Sequence, residues 1–112
     1  MTTVFGKILR GEIPAKKVYE DDRVLAFDDV APQAPVHVLI IPKIDTLSSI
    51  DDMKDEHEAL VGHIMATASK VAKLKGLAAY RVVMNNGADA GQSVFHMHLH
   101  VLGGRPMSWP PG

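Results

Sequence analysis

The chain contains no cysteine, so no disulfide can brace it, which is compatible with a reducing cytosol. It also lacks an excess of either charge. Twelve basic residues against 13 acidic ones leave a net charge of −1, so there is no polycationic face for a phosphate backbone, and nucleic acid is not an expected partner. Long apolar runs are missing too. The longest, Val38-Leu39-Ile40-Ile41, is far too short to span a bilayer, and Met1 to Lys7 lacks the apolar core of a secretory signal. A cytoplasmic protein without a membrane partner is expected. Its 112 residues have room for one domain, 1–112, with a modest core that buries somewhat over roughly 60% of the unfolded surface. A subunit interface is the natural supplement to such a core.

What is present reads as an α+β chain. Val4, Phe5, Ile8 and Leu9 recur at helical spacing before Gly11 and Pro14, which predicts a short opening helix. Lys17 to Tyr19 and Arg23 to Phe27 flank the turn pair Asp21-Asp22 as a hairpin. Val36 to Ile41 is apolar apart from His37 and suits a central strand closed by Pro42. A long helix is expected from Met53 to Leu74, with Leu60, Ile64, Ala68, Val71 and Leu74 on its inner stripe and Gly76 after its end. Tyr80 to Met84 and about Phe95 to Leu102 read as two more strands, separated by a loop over 85–93. The sum is about five strands in a meander with one major helix between the third and fourth. The tail from Gly103 to Gly112 holds three prolines and is expected to be extended.

Three histidines alternate with apolar residues in His96-Met97-His98-Leu99-His100. On a strand this alternation puts the three imidazoles on one face, spaced by about 6.6 Å, and Met97, Leu99 and Val101 on the other. Such a cluster resists full protonation at neutral pH, so some rings are expected to be neutral nucleophiles or acceptors. Two readings compete for this face: a zinc site, since His-x-His suits that metal, and an oxyanion site. The loop residues Asn85-Asn86-Gly87 and Gly91-Gln92-Ser93 favour the anion, because glycine admits a phosphate close to the backbone while amides and hydroxyls donate to its oxygens. The same residues also make ordinary turns. His37 is either a satisfied core histidine or an orienter of the triad, and Asp28-Asp29 is either a solvated turn pair or a ribose-binding carboxylate. His57 and His63 sit among charged residues of the long helix and receive no role.

At these residues the chain resembles the histidine triad family. The run from His96 to Leu102 matches its signature, and Gly103-Gly104-Arg105-Pro106 through Trp109-Pro110-Pro111-Gly112 is similar to the ending of its Hint branch. The blocks Phe5-Gly6-Lys7-Ile8, Gly11-Glu12-Ile13-Pro14, Pro32 to Pro35, and Ile41-Pro42-Lys43 extend the similarity over nearly the whole chain. The resemblance implies a HIT-like fold: a five-stranded antiparallel sheet with one long and one short helix, joined in a homodimer into a ten-stranded sheet. It implies hydrolysis of purine nucleoside 5′-phosphoramidates and acyl-adenylates to AMP; a neutral imidazole is a competent nucleophile at pH 7, so no metal and no cofactor are expected. Carried over by position, His98 resembles the nucleophile. His100, Ser93, Asn85 and the backbone at Gly91 and Gln92 correspond to the phosphate and leaving-group contacts. Asp29, beside Val30, matches the ribose ligand, and Val4, Phe5, Ile8 and Phe27 the base pocket. His37 and His96 are assigned the orientation of their neighbours, and the tail is expected near the dimer seam. One departure is Asp45, where relatives often carry a histidine associated with metal binding.

Overall fold

In the computed structural model, which describes residues 3–112, the chain opens on helix α1, Val4–Leu9. Thr3 caps it, its hydroxyl accepting from the Gly6 amide at 3.1 Å. Gly11 ends it with φ +76°, the left-handed conformation that lets the amides of Gly11 and Glu12 reach back to the carbonyls of Ile8 and Lys7. Strands β1, Lys17–Glu20, and β2, Val24–Asp28, form the first hairpin. Its turn is held by Asp21, whose Oδ1 accepts from the amides of Arg23 and Val24 at 2.8 and 2.9 Å. Strand β3, Val36–Pro42, pairs with β2 throughout, from Val24 opposite Pro42 to Asp28 opposite Val38.

Helix α2 runs over Glu58–Leu74, shorter than the expected span from Met53. Two 3-10 turns, Ile50–Asp52 and Asp55–His57, precede it, and extended backbone at Met53 and Lys54 separates them from each other. The Lys54 amide is drawn to the His57 ring at 3.0 Å, which starts the helix anew. Its buried stripe is Ile64, Thr67, Ala68, Val71 and Ala72. Leu74 departs from the expected stripe and is 61% exposed.

Strand β4, Tyr80–Val83, and strand β5, Leu99–Gly103, complete an antiparallel sheet of order β1-β2-β3-β5-β4. The five strands are as expected, but the order is not a plain meander, because β5 is inserted between β3 and β4. β5 also begins later than Phe95. Its ladder with β3 ends at Leu99 opposite Ile40; continued in the same register, Met97 would lie opposite Pro42, which has no amide to donate, and the Met97 amide turns instead to the Leu47 carbonyl at 2.9 Å.

Alternation along the central strands loads both faces of the sheet. Val24 and Ala26 of β2, Val38 and Ile40 of β3, and Leu99 and Val101 of β5 face α2 and join Ile64, Ala68 and Val71 in the larger core. Leu25, Phe27, Leu39 and Ile41 face the other way, where α1 covers them, chiefly through Phe5, with Ala15 and Val94 packed beside it. The shorter helix leaves part of that second face open, and the histidines lie there.

Candidate functional site

His98 and His100 reach the α1 face while Met97, Leu99 and Val101 enter the α2 core, so the predicted division of the run into two faces holds even though His96 and His98 precede the strand. The His98 ring lies edge-on to Phe5, 5.0 Å between centroids, and 5.0 Å from the His100 ring. Both histidines border a cavity of about 350 Å³. Its apolar side includes Val4, Phe5, Ile8 and Phe27, and its polar side Asp29, Ser93 and the two histidines, with Val30 also on the wall. Nine of the residues singled out from the sequence thus meet at one cavity. Asp28, the other member of the predicted carboxylate pair, also lines it, and sequence reasoning missed Ile13, Pro14, Ala15, Leu39 and Val94. For Ile13 and Pro14 a signal existed, since they follow the Gly11 break and must fold back beside α1.

His37, His96, Asn85, Gly91 and Gln92 stand outside that lining. His37 lies behind His100, its Nε2 2.9 Å from His100 Nδ1. His96 is 1% exposed, under Phe5, with Nε2 3.0 Å from the Pro42 carbonyl and Nδ1 unpartnered among the described residues. The amides of Gly91 and Gln92 bond to Ala88 and Gly87 carbonyls within their own turn. Gly91 has φ +102°, and a Cβ there would lie 3.4 Å from the Asn85 amide nitrogen, so this turn suits glycine on both counts.

The hydrogen bonds fix where each imidazole proton sits. The Gln33 amide donates to His37 Nδ1 at 3.0 Å, so a neutral His37 carries its proton on Nε2 and gives it to His100 Nδ1. His100 is then protonated on Nε2. A backbone carbonyl can only accept, so His98 carries its proton on Nδ1, donated to the His96 carbonyl at 2.8 Å, and its lone pair is on Nε2. By the same logic His96 donates from Nε2.

Burial holds His37, His96 and His98 below the ordinary imidazole range, against smaller opposing pulls from carboxylates and backbone acceptors. His100 is pushed down to about 4 by burial first and then by its neighbours His98 and His37. All four rings are therefore neutral at pH 7. Asp29 stands at the edge of the cluster, 3.4 Å from His37 Nε2, with its other oxygen taken by the Ala31 amide at 2.9 Å. Asp28 points elsewhere and pairs with Lys75 at 2.9 Å.

His63 is not the idle surface histidine expected. Its Nε2 lies 2.6 Å from Asp21 and its Nδ1 3.2 Å from Arg23, which ties α2 to the β1–β2 turn far from the cavity. His57 serves only the start of α2.

A family model for the HIT domain matches residues 10–107. Among curated proteins, an adenylylsulfatase HINT1 of Arabidopsis thaliana is 49% identical over 98% of this chain and 76% of its own length. A 14 kDa zinc-binding protein of Zea mays is 51% identical over 98% of this chain and 88% of its own. Among solved structures, a HIT family hydrolase from Legionella pneumophila superposes with a TM-score of 0.94 at 49% identity, covering 99% of this chain and 100% of that one.

One set of side chains offers donor types that suit zinc: Asp29, His37 and His100, with ligand atoms within 4.8 Å of one another. The set does not fit as it stands. His37 Nε2 and His100 Nδ1 are closed on a shared proton at 2.9 Å, whereas two nitrogens on a tetrahedral zinc stand about 3.3 Å apart and neither holds a proton toward the ion.

Proposed function

Because the chain belongs to the HIT family of hydrolases, we propose that it hydrolyses purine nucleoside 5′-phosphoramidates and acyl-adenylates to AMP through a nucleotidyl group carried on His98. One observation carries this reading: the His98 proton is committed to the His96 carbonyl, leaving a neutral ring with its lone pair on Nε2 at a cavity that also offers Asp29, Ser93 and an apolar wall. A purine would pack on Val4, Phe5, Ile8 and Phe27, and the ribose hydroxyls would be accepted by Asp29, beside Val30.

In the first step the Nε2 lone pair forms a bond to the α-phosphorus while the P–N or P–O bond to the leaving group breaks. The amine departs with a proton from a neighbouring donor, for which Ser93 and the Nε2–H of His100 are the candidates. In the second step water attacks the same phosphorus and frees His98, giving AMP. No group other than the chain and water is needed for the balance. His37 holds the His100 tautomer, and the His96 carbonyl holds that of His98. Asn85 would complete the phosphate contacts, whereas the Gly91 and Gln92 amides, bonded within their own turn, have no proton to give a phosphate and only shape the loop.

The name adenylylsulfatase carried by the Arabidopsis relative supports the adenylyl group as the part that is held and leaves the leaving group open. We further infer a homodimer, supported by the outer edge of β4, which pairs with no strand among the described residues, and by exposed Met65, Leu74 and Tyr80. The test of the activity is rapid quenching during turnover of an adenosine phosphoramidate, followed by mass spectrometry. An acid-labile adenylyl group on His98 is expected; turnover with no such adduct, or with the adduct elsewhere, would overturn the mechanism. Sedimentation at micromolar concentration tests the dimer.

A further inference from the structure

The loop before β5 contains one buried polar side chain that this chemistry does not use. Gln92 is 3% exposed, although it sits beside Ser93 in a stretch read as phosphate-binding. Its Oε1 accepts from the Gly87 amide at 2.9 Å, and its Nε2 donates to the Ser48 carbonyl at 2.6 Å and to the Val94 carbonyl at 3.1 Å. Both amide protons are spent, so the carboxamide has none left to give a phosphate oxygen. The three partners lie at the start of the loop, just after Ser93, and 44 residues away in the segment that leads into α2.

A second fastening joins the same two segments. Asn86 Oδ1 accepts from the Asp51 amide at 2.8 Å, and its Nδ2 donates to the Asp51 carboxylate at 3.1 Å. A third is the Met97 amide on the Leu47 carbonyl at 2.9 Å. The backbone from Asn86 to Met97 is thus held against Leu47, Ser48 and Asp51 at three points. Gln92 is the buried one among the side-chain contacts, and Ser93 and His98 are both on the stretch so held.

We propose that Gln92 is a positioning residue: its carboxamide touches no substrate and instead pins the loop so that Ser93 and His98 keep the spacing that in-line attack at phosphorus requires. This rests on the proposed function for what is positioned. Misplacement of reacting groups by about 1 Å costs on the order of a hundredfold in rate, whereas the apolar wall and Asp29, which would provide most of the ground-state affinity, stand on other elements.

The test has one arm that needs no turnover. In the free protein, the Gln92 side-chain amide protons and the Gly87 amide should exchange slowly with solvent. On adding AMP they should keep their chemical shifts while the Ser93 amide moves. Fast exchange in the free protein, or a Gln92 side-chain shift as large as that of Ser93, overturns the proposal.

In the kinetic arm, Gln92→Met, of similar length but without hydrogen bonds, should lower kcat on an adenosine phosphoramidate on the order of a hundredfold while the AMP Kd changes by less than about threefold. Asn86→Ala, which loosens the exposed fastening and leaves the buried one, should move kcat in the same direction by less, and it carries the argument if Gln92→Met fails to fold. Equal losses in kcat and AMP affinity, or unchanged kcat in both variants, would overturn it. Absence of turnover in the unmodified protein would instead sink the proposed function and leave the exchange arm standing.

Discussion

The two faces of the sheet are built from the same strands and end in opposite states. The face toward α2 is closed by 17 residues of helix and holds Val24, Val38, Ile64, Val71 and Val101 with no exposure at all. The face toward α1 is covered by six residues of helix, keeps Leu25, Phe27, Leu39 and Ile41 buried, and then gives way to a cavity edged by imidazoles. Successive residues of one run, Met97 to Val101, serve both. The buried core is thus concentrated on one side and the proposed chemistry on the other, and single substitutions should separate them.

The largest effect should come from the open face. His98→Ala removes the proposed nucleophile, and turnover of an adenosine phosphoramidate should fall by at least about a thousandfold. AMP binding should survive, measured by calorimetry, since Phe5, Phe27 and Asp29 are untouched. Near-normal turnover would break the comparison, because the chemistry would then lie elsewhere.

The closed face answers in the other currency. Ile64→Ala opens a cavity under α2 where the side chain is fully buried and should cost about 2–5 kcal/mol in urea unfolding. The kcat of the protein that remains folded should be unchanged. A loss of kcat without a loss of stability would mean that α2 takes part in the site.

Much of this division was legible beforehand. Alternation in 96–101 told which residues would share a face, because a period of two survives even where the ladder does not. The loss of ladder pairing before Leu99 was harder to see, since it depends on the β3 register, which would set Pro42, 55 positions away, opposite Met97. The strand order was hidden for a related reason: composition marks Tyr80 to Met84 and about Phe95 to Leu102 as strands but carries no information on which of them lies beside β3. The role of His63 was invisible because its partner Asp21 is brought near only by the packing of α2 on the hairpin. Gln92 reads from the sequence as part of a phosphate-binding stretch, with an ordinary turn as the alternative; only its burial shows where its carboxamide protons go.

A pH titration sharpens the comparison from a third side. The four histidines of the open face titrate near 6.5 when unfolded and lower when folded, with His100 at about 4. As pH falls below 6.5 the unfolded chain takes up protons that the folded chain refuses. The stability these rings contribute is therefore complete above 6.5 and is lost progressively toward 4, by an amount on the order of a few kcal/mol. Asp21, held low because hydrogen bonds from Arg23, His63, Val24 and Tyr19 outweigh its burial, acts in the same direction but only below the ordinary carboxylate range. Unfolding midpoints between pH 7 and 4.5 isolate the histidines; a flat profile over that window would show that the rings are not held neutral. Turnover should persist to lower pH than free imidazole would allow, because His98 keeps its lone pair.

The smallest effect concerns a part of the chain that belongs to neither face. Trp109 is 81% exposed, and its contact on its own chain is the Arg81 guanidinium, 5.9 Å from the ring centroid. An indole that filled a gap in its own subunit would be covered, so the exposure counts against that role. The segment before it is anchored, with the Arg105 guanidinium donating to the Gln33 and Pro106 carbonyls, and it lies along Tyr80 and Arg81 at the outer edge of β4. That is the edge proposed to join a second copy, so the indole would stand where the two chains meet. Deleting Ser108 to Gly112 should then leave the sheet, both cores and the AMP Kd nearly unchanged. What should move, by only a few fold, is the ranking of substrates that differ in the amine or acyl portion. The measurement is kcat/KM for a series of adenosine phosphoramidates with full-length and shortened protein. A uniform fall across the series, or dissociation of the dimer, would make the tail structural, and the division between a stabilising face and a reacting face would have to include it on the first side.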